Sequence, residues 1–239
     1  MKKFWFERKC SAHFGLMASG SGTYNAPKRD MEMITVPGRN GMLVVDNGRF
    51  ENVTVKYPVS ISKDFQKHAA AVRQWLLGSP GYRRLEDEYN PEYFRMAVFQ
   101  GPLNFETGFL NRTGEATISF DCKPQRFLKT GERAVHFYEA ALFRNPTDFP
   151  AQPLIKLTGL GPGSVGIGEV NVEILELIDG MILDCEMMNA YRVTESGAYE
   201  NLNHCIQASD FPVLAAGENR ISWDGDITAI EVTPRWWTV

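Results

Sequence analysis

Cysteine and histidine are scarce in this sequence, with four of each among 239 residues. No two cysteines form a CxxC pair, and a zinc site needs paired ligands at short spacing. Disulfide-rich secreted domains carry a dense cysteine framework, which is also missing. We therefore predict no metal and no cofactor, and we expect four reduced, mostly buried thiols at Cys10, Cys122, Cys185 and Cys205.

Long apolar runs are also absent. No window approaches the roughly 20 apolar residues that a membrane-spanning helix needs. The apolar stretch 4–6 near the N terminus is followed at once by the charged residues 7–9, so it does not have the pattern of a secretion signal. We expect a protein that is made in a cytoplasm and has no membrane partner.

Catalytic motifs are missing as well. The sequence has no G-x-S-x-G and no H-E-x-x-H, and nothing singles out a pair of acidic residues. Residues 161–166 match G-x-G-x-x-G, but a strand pattern follows where a dinucleotide site needs a helix, and Pro162 removes an amide donor. Residues 224–226, Asp-Gly-Asp, lack the further ligands of a calcium loop and predict a hairpin turn. We predict no catalytic residue and no enzyme.

What is present is typical of a globular protein with two parts. Apolar residues make up 44% and charged residues 23%. Residues 1–145 hold 21 Lys and Arg against 15 Asp and Glu, whereas residues 146–239 hold 4 against 14. The charge changes sign at a segment with three prolines, 146–153, which excludes a helix or a central strand. We predict two domains, 1–147 and 148–239.

The basic half does not predict specific binding of nucleic acid. Its Lys and Arg residues form no cluster longer than three, and no stacking platform accompanies them.

The first domain is predicted to be mainly β with one helix. A looped stretch at 14–28 precedes a hairpin with strands at 31–36 and 42–45, a second turn at Asn47-Gly48, and a further strand over 49–59. The helix starts after an N-cap at Ser62 and ends at Gly78. A short helical turn is predicted over 81–89, and strands over 94–99, 115–122 and 135–143. The apolar face of the helix consists of Phe65, Ala69, Val72, Trp75 and Leu76.

The second domain is predicted to be β throughout. Short strands at 154–157, 169–177, 181–187, 191–194, 220–223 and 227–233 alternate with turns, of which Asp179-Gly180 is the clearest. Short strands at this spacing in about 90 residues indicate a sandwich or barrel.

Seven segments, taken in order, resemble the distal tail protein (Dit) family of long, flexible-tailed bacteriophages. They span nearly the whole chain, and Gln125 departs from the family pattern, which usually has an aromatic residue there. The segments are ITVPGRNG at 34–41; WLLG at 75–78 followed by YRRLED at 82–87 and YFRMA at 93–97; FDCKPQ at 120–125; NPT at 145–147 with Pro153; FPVL at 211–214; GENRISW at 217–223; and PRWW at 234–237.

The resemblance implies a mainly β fold: an N-terminal β-sandwich or barrel-like domain with one packed helix and an extended β-hairpin arm, and a C-terminal galectin-like β-sandwich. It implies a ring, typically a homo-hexamer, that joins the tail tube protein to the baseplate hub, with a path for phage DNA through the ring. The C-terminal domains would project outward and hold receptor-binding or fibre proteins. Such a protein would be assembled in the bacterial cytoplasm, would reside at the virion tail tip, and would carry out no chemical step.

The residues around the arm turn are the candidate oligomer interface. The arm has too many apolar residues for a free hairpin, Gly38 and Gly41 permit the turn, and Arg39 is a candidate partner for a carboxylate of a neighbouring subunit. The alternative is that the hairpin covers the core of its own domain. The interface residues are predicted to be Met31, Met33, Ile34, Val36, Gly38, Arg39, Gly41, Leu43 and Val45.

A second hypothesis is a carbohydrate-binding module or lectin-like adhesin of the tail tip. Sugar sites use an exposed aromatic platform beside polar groups, and Trp223, Trp236 and Trp237 are candidates for a sugar or partner platform. A third hypothesis, a cell-wall hydrolase of the baseplate, finds no supporting constellation of residues.

Overall fold

The chain divides into two compact units, of which the first ends at Arg126 and the second runs from Phe127 to Thr238. The computed structural model describes residues 2–20, 24–108 and 110–239. The division lies before the proline-rich segment at which the sequence predicts a boundary, because strands Val135–Phe137 and Ala141–Asn145 pair with strand Gly217–Thr233 of the second unit. As a division of function, the pair 1–147 and 148–239 stays a prediction.

The first unit is built on one large sheet. Its strands are β1 (Phe4–Phe6), β2 (Lys9–Cys10), β3 (Met17–Ala18), β6 (Val53–Ile61), β7 (Arg83–Asp87), β8 (Tyr93–Val98), β9 (Glu106–Gly108) and β10 (Thr113–Leu128). They lie in the order β2-β1-β7-β8-β10-β6-β3, and β9 pairs with β10. A separate hairpin consists of β4 (Arg29–Thr35) and β5 (Met42–Phe50). The predicted loop 14–28 contains β3, and its residues 21–23 lie outside the described residues.

The core of this unit lies between the sheet and helix α1 (Phe65–Leu77). Strand β6 alternates along its length, so its apolar side chains point inward while polar ones face out. Phe4 and Phe6 of β1 are fully buried, and Phe4 stacks on Tyr57 with ring centroids 4.7 Å apart. Trp75 stacks on Phe14 at 4.2 Å, and its indole Nε1 donates a hydrogen bond to the carbonyl of Phe6 at 3.2 Å.

The helix buries the five predicted side chains and ends at Gly78, as predicted. Its start differs: the N-cap is Asp64, in a left-handed conformation and without a side-chain capping bond, so the prediction of Ser62 was wrong. The predicted helical turn at 81–89 was also wrong, because strand β7 forms there. Pairing with β1 on one side and β8 on the other outweighs the weak local preference of that segment.

The second unit is an antiparallel β structure. Its strands are β11 (Val135–Phe137), β12 (Ala141–Asn145), β13 (Leu154–Ile167), β14 (Val170–Ile174), β15 (Met181–Asp184), β16 (Asn189–Val193), β17 (Tyr199–Asn201), β18 (Ile206–Gln207) and β19 (Gly217–Thr233). They lie in the order β11-β19-β13-β15-β16-β17, while β12 pairs with β19, and β14 joins β13 to β18. A last short strand, β20 (Trp237–Thr238), pairs with β10. Short 3-10 helices occupy Ser11–Phe14, Lys129–Glu132 and Asn203–Cys205.

The two longest strands of this unit, β13 and β19, change partners near their middle. The first half of β13 pairs with β15 and the second half with β14, and β19 follows both halves with a register shift at Thr158, Gly159 and Gly163. The strands approach so closely there that a Cβ atom on Gly159 would lie 2.2 Å from the carbonyl oxygen of Asp226. Gly161 and Gly163 of the G-x-G-x-x-G match lie at this irregularity, so the match belongs to a bulged strand.

Two sequence predictions change as a result. The strand predicted at 154–157 continues to Ile167, and the turn predicted at 224–226 lies inside the continuous strand β19. Gly225 has a positive φ of 68°, which gives an irregularity in the strand and not a reversal of the chain.

Buried polar side chains hold the loops of this unit in place through hydrogen bonds and an ion pair. The Asn145 amide nitrogen donates to the carbonyls of Phe149 and Leu214, which holds the proline-rich segment. Asn219 bonds both the amide and the carbonyl of Ala215. Asp184 forms a bidentate ion pair with Arg235 at 2.7 and 3.0 Å. Asn145, Asn219 and Arg235 belong to the segments that resemble the distal tail protein family, and these contacts give all three a structural role.

The predicted fold class is confirmed: the protein is mainly β, and its described residues form one α-helix, an extended hairpin and a second antiparallel β unit. Among residues 2–20, 24–108 and 110–239, no helix combines the length and apolar character of a bilayer-spanning segment.

Candidate assembly surface

The hairpin of β4 and β5, called the arm from here on, brings most of the predicted interface residues together. The register pairs Met33 with Val44 and Ile34 with Leu43. Since paired residues of an antiparallel ladder share a face and neighbours alternate, the arm has two distinct faces. The methionine face carries Met31, Met33, Met42 and Val44, and the aliphatic face carries Ile34, Leu43 and Val45.

Both faces of the arm are uncovered. The apolar side chains from Met31 to Val45, including Val36 beyond the end of β4, are between 36 and 57% exposed. None of them belongs to the core of the first unit, so the arm does not cover that core. Exposed apolar side chains concentrated in one segment are typical of interaction sites.

The base of the arm is held by polar contacts. Lys28 bonds Glu51 at 2.7 Å, Arg29 bonds Asp46 at 2.6 Å, and Arg49 bonds Asp30 at 2.7 Å. The hydrogen bond from Arg29 lowers the pKa of Asp46, with help from the backbone amide of Gly48. The predicted turn at Asn47-Gly48 was wrong, because both residues lie inside β5 beside the register shift between Arg29 and Met31.

The tip of the arm is a turn with left-handed glycines. Gly38 and Gly41 have φ angles of 77° and 80°, which side chains with a Cβ atom rarely adopt. The amide of Arg39 donates to the carbonyl of Val36 at 3.2 Å. The Arg39 guanidinium forms no ion pair with any residue that the structure describes, which leaves it available to a partner.

The sequence prediction omitted Met42 and Val44 from the interface and missed the three ion pairs at the arm base. The sequence does contain a signal for these pairs. Lys28-Arg29-Asp30 stands where the first arm strand begins, and the opposite charges at Asp46, Arg49 and Glu51 stand where the second arm strand ends, as cross-strand ion pairs in a hairpin require.

The tryptophans predicted as a sugar or partner platform lie in the second unit and form no exposed row. Trp236 is only 5% exposed and belongs to the core. Trp237 stacks on Phe149 at 4.6 Å and donates its indole N–H to the carbonyl of Pro150 at 2.9 Å. Trp223 is half-buried against the same core. Their role as a platform stays a prediction.

A smaller polar cluster surrounds a cavity of about 20 Å³ in the first unit, lined by Asp87, Asn90, Arg95 and Arg126, among others. The Tyr57 hydroxyl donates to Asp87 at 2.6 Å, and burial raises the pKa of Tyr57, with the Asp87 charge adding to the effect. The cavity has room for about one water molecule.

No reactive or metal-binding constellation appears among the described residues. All four cysteines are buried, and burial raises the pKa of Cys122 and of Cys185 to about 12, which keeps both thiols protonated. In the described part of the chain, no group of three or more His, Cys, Asp or Glu side chains could hold a metal ion.

Neither the known family models nor the curated protein sequences match this chain. Solved structures do. The chain aligns with the crystal structure of the SPP1 Dit protein, described as a paradigm of the hub adsorption apparatus in phages that infect Gram-positive bacteria. The alignment covers 100% of both chains, with a TM-score of 0.76 and 11% sequence identity. The chain has the Dit fold.

Two further structures show a similar fold with a lower score. Both are the baseplate of phage P2 in its activated conformation, one with Ca and one with Sr. Each aligns over 97% of both chains with a TM-score of 0.53, at 7 and 8% identity. The resemblance to distal tail proteins predicted from the sequence is thus confirmed at the level of the Dit fold.

Proposed function

We propose that this protein is a structural subunit of a phage tail tip, in which copies of the chain close into a ring between tail tube and baseplate hub. The ring is expected to be a hexamer, and receptor-binding or fibre proteins are expected to attach to it. The single observation that carries the proposal is the arm: a preformed hairpin, apolar on both faces, on a chain whose fold matches the SPP1 Dit protein over its full length.

The energetics favour an arm that packs on a neighbouring copy. Burying roughly 400 Å² of its apolar surface would contribute about 10 kcal/mol before the costs of ordering and association. The ion pairs at the base favour the hairpin in the free subunit, which reduces the ordering cost. A ring needs one surface to complement a different surface of the next copy, and a projecting arm provides one of the two.

Native mass spectrometry and negative-stain imaging of the purified chain at about 10 µM test this proposal. We expect a closed ring of a single size for the unmodified protein. A variant in which residues 32–45 are replaced by Asn-Gly should stay folded and become monomeric.

The matched control is Leu142→Ser, which removes an exposed apolar side chain of the second unit and should leave the ring intact. A stable monomer with the arm intact would contradict the proposal. Binding to a glycan array that is lost in Trp237→Ala would instead support the carbohydrate-binding alternative.

A further inference from the structure

The surface that receives the arm must be apolar, and the first unit has little other apolar surface to offer. In its described residues, the exposed large apolar side chains outside the arm are Tyr24, Leu77, Tyr82 and Leu110, which belong to four separate segments. One of them, Tyr82, already accepts a hydrogen bond from Asn52 through its hydroxyl. The arm is therefore the main apolar surface of this unit, and it is also the surface that needs a cover.

The arm needs two covers, since its faces point in opposite directions. The cross-strand pair Met33 and Val44 marks one face, and the pair Ile34 and Leu43 marks the other. A single contact can bury only one of these faces. The faces also differ in shape: three unbranched, flexible methionines lie on one, and branched aliphatic side chains lie on the other.

We propose that the arms of successive copies stack on one another, with the methionine face of one arm packed on the aliphatic face of the next. Sheet faces pack about 10 Å apart, and flexible methionines can fill the gaps between branched side chains. The contact joins two different faces, so a pair of copies still has one free face of each kind. Further copies can add to these free faces until the ring closes. This inference rests on the proposed function, because it names the surface through which the copies join.

The charges of Glu32 and Arg39 favour this arrangement over a contact between two aliphatic faces. Glu32 lies on the aliphatic face opposite Val45, and Arg39 lies at the tip. Neither forms an ion pair with another residue in the described part of the chain. Staggered stacking can bring Arg39 of one copy to Glu32 of the next, whereas two aliphatic faces packed together would place two Glu32 carboxylates in one interface.

Paired substitutions can disable one face at a time and keep the hairpin. The variant Met33→Lys/Val44→Glu places an opposite-charge pair across the ladder on the methionine face, and Ile34→Lys/Leu43→Glu does the same on the aliphatic face. Both leave the net charge unchanged. As a control, Arg29→Asp/Asp46→Arg reverses a base ion pair and removes no apolar surface.

Native mass spectrometry of the variants, alone and mixed in equal amounts, tests the inference. Each variant alone should be monomeric, because every stacked contact needs one intact face of each kind. The mixture should give a one-to-one heterodimer and nothing larger, since only one productive pair of faces remains. The control should form the same ring as the unmodified chain.

The outcomes separate this inference from the proposed function. If the unmodified chain forms rings but the mixture gives no heterodimer, the arm packs on another surface, such as the second unit of a neighbour, and only the stacking is wrong. The same holds if either variant alone still forms rings. An unmodified chain that remains monomeric would overturn both.

Discussion

Strands β5 and β6 follow each other in the chain, have nine residues each and are both rich in apolar side chains, yet their surroundings are opposite. Strand β6 alternates, so that its apolar side chains enter the core and its polar ones face out. Strand β5 begins with four consecutive apolar residues, 42–45, and none of them is buried. Alternation fits a strand with one covered face, whereas an unbroken apolar run fits a strand that awaits a cover on both faces.

The sharpest test of this comparison exchanges one valine for lysine in each strand. Val55 of β6 is buried, so Val55→Lys should cost more than about 4 kcal/mol of unfolding free energy or prevent folding, because a charge enters the core. Val44 of β5 is exposed, and Val44→Lys should change the free energy by less than about 0.5 kcal/mol.

Urea unfolding at a concentration that keeps the chains separate measures both values. A loss of 2 kcal/mol or more in Val44→Lys would mean that the arm packs on its own chain.

A second test, with a smaller expected effect, probes how closely helix α1 packs on the sheet that contains β6. Gly114 of β10 lies opposite Ile61 of β6, and a Cβ atom there would lie 2.3 Å from the Phe65 ring. Gly114→Ala should therefore cost about 2 kcal/mol through overpacking.

The variant Phe65→Leu removes the clash, so the double variant should lose less stability than the sum of the two single variants. Additive losses of stability in a thermal or urea double-mutant cycle would show that the Phe65 side chain does not clash with an alanine at position 114.

The smallest of these effects concerns the base of the arm and its dependence on pH. The pKa of Asp46 is lowered chiefly by the hydrogen bond from Arg29, and that of Asp30 by Asn47 and Arg49. A carboxyl with a lowered pKa in the folded state contributes above its ordinary pKa near 4, and the contribution is lost as the pH falls through the lowered value.

Backbone chemical shifts measured from pH 6 to pH 2 should show the strand signature of β4 and β5 weakening before that of β6. The variant Asp46→Asn should weaken the arm already at pH 6. If β5 and β6 lost their strand signature at the same pH, the ion pairs at the base would not stabilise the arm separately from the rest of the unit.

Local periodicity predicted the helix face from Phe65 to Leu76 and the arm turn at Gly38 and Gly41, because both features depend on near neighbours in the sequence. It did not predict β7, whose strand conformation depends on pairing with distant strands. It also divided β13 and β19 into shorter pieces, since a bulge and a turn both use glycine. For the arm, the sequence indicated apolar excess, while the separation into two faces required the register between β4 and β5.

The methionine face also makes the arm a readily oxidised surface, as is the exposed pair Met187 and Met188 of the second unit. The four cysteines are buried, whereas the thioethers of Met31, Met33 and Met42 are open to solvent. Dilute peroxide should convert these three to sulfoxides before it reaches the thiols, which would make one face polar and leave the other unchanged. Peptide mass mapping should find the three sulfoxides in free subunits and their protection in assembled rings, so oxidation can report how much of a preparation has assembled.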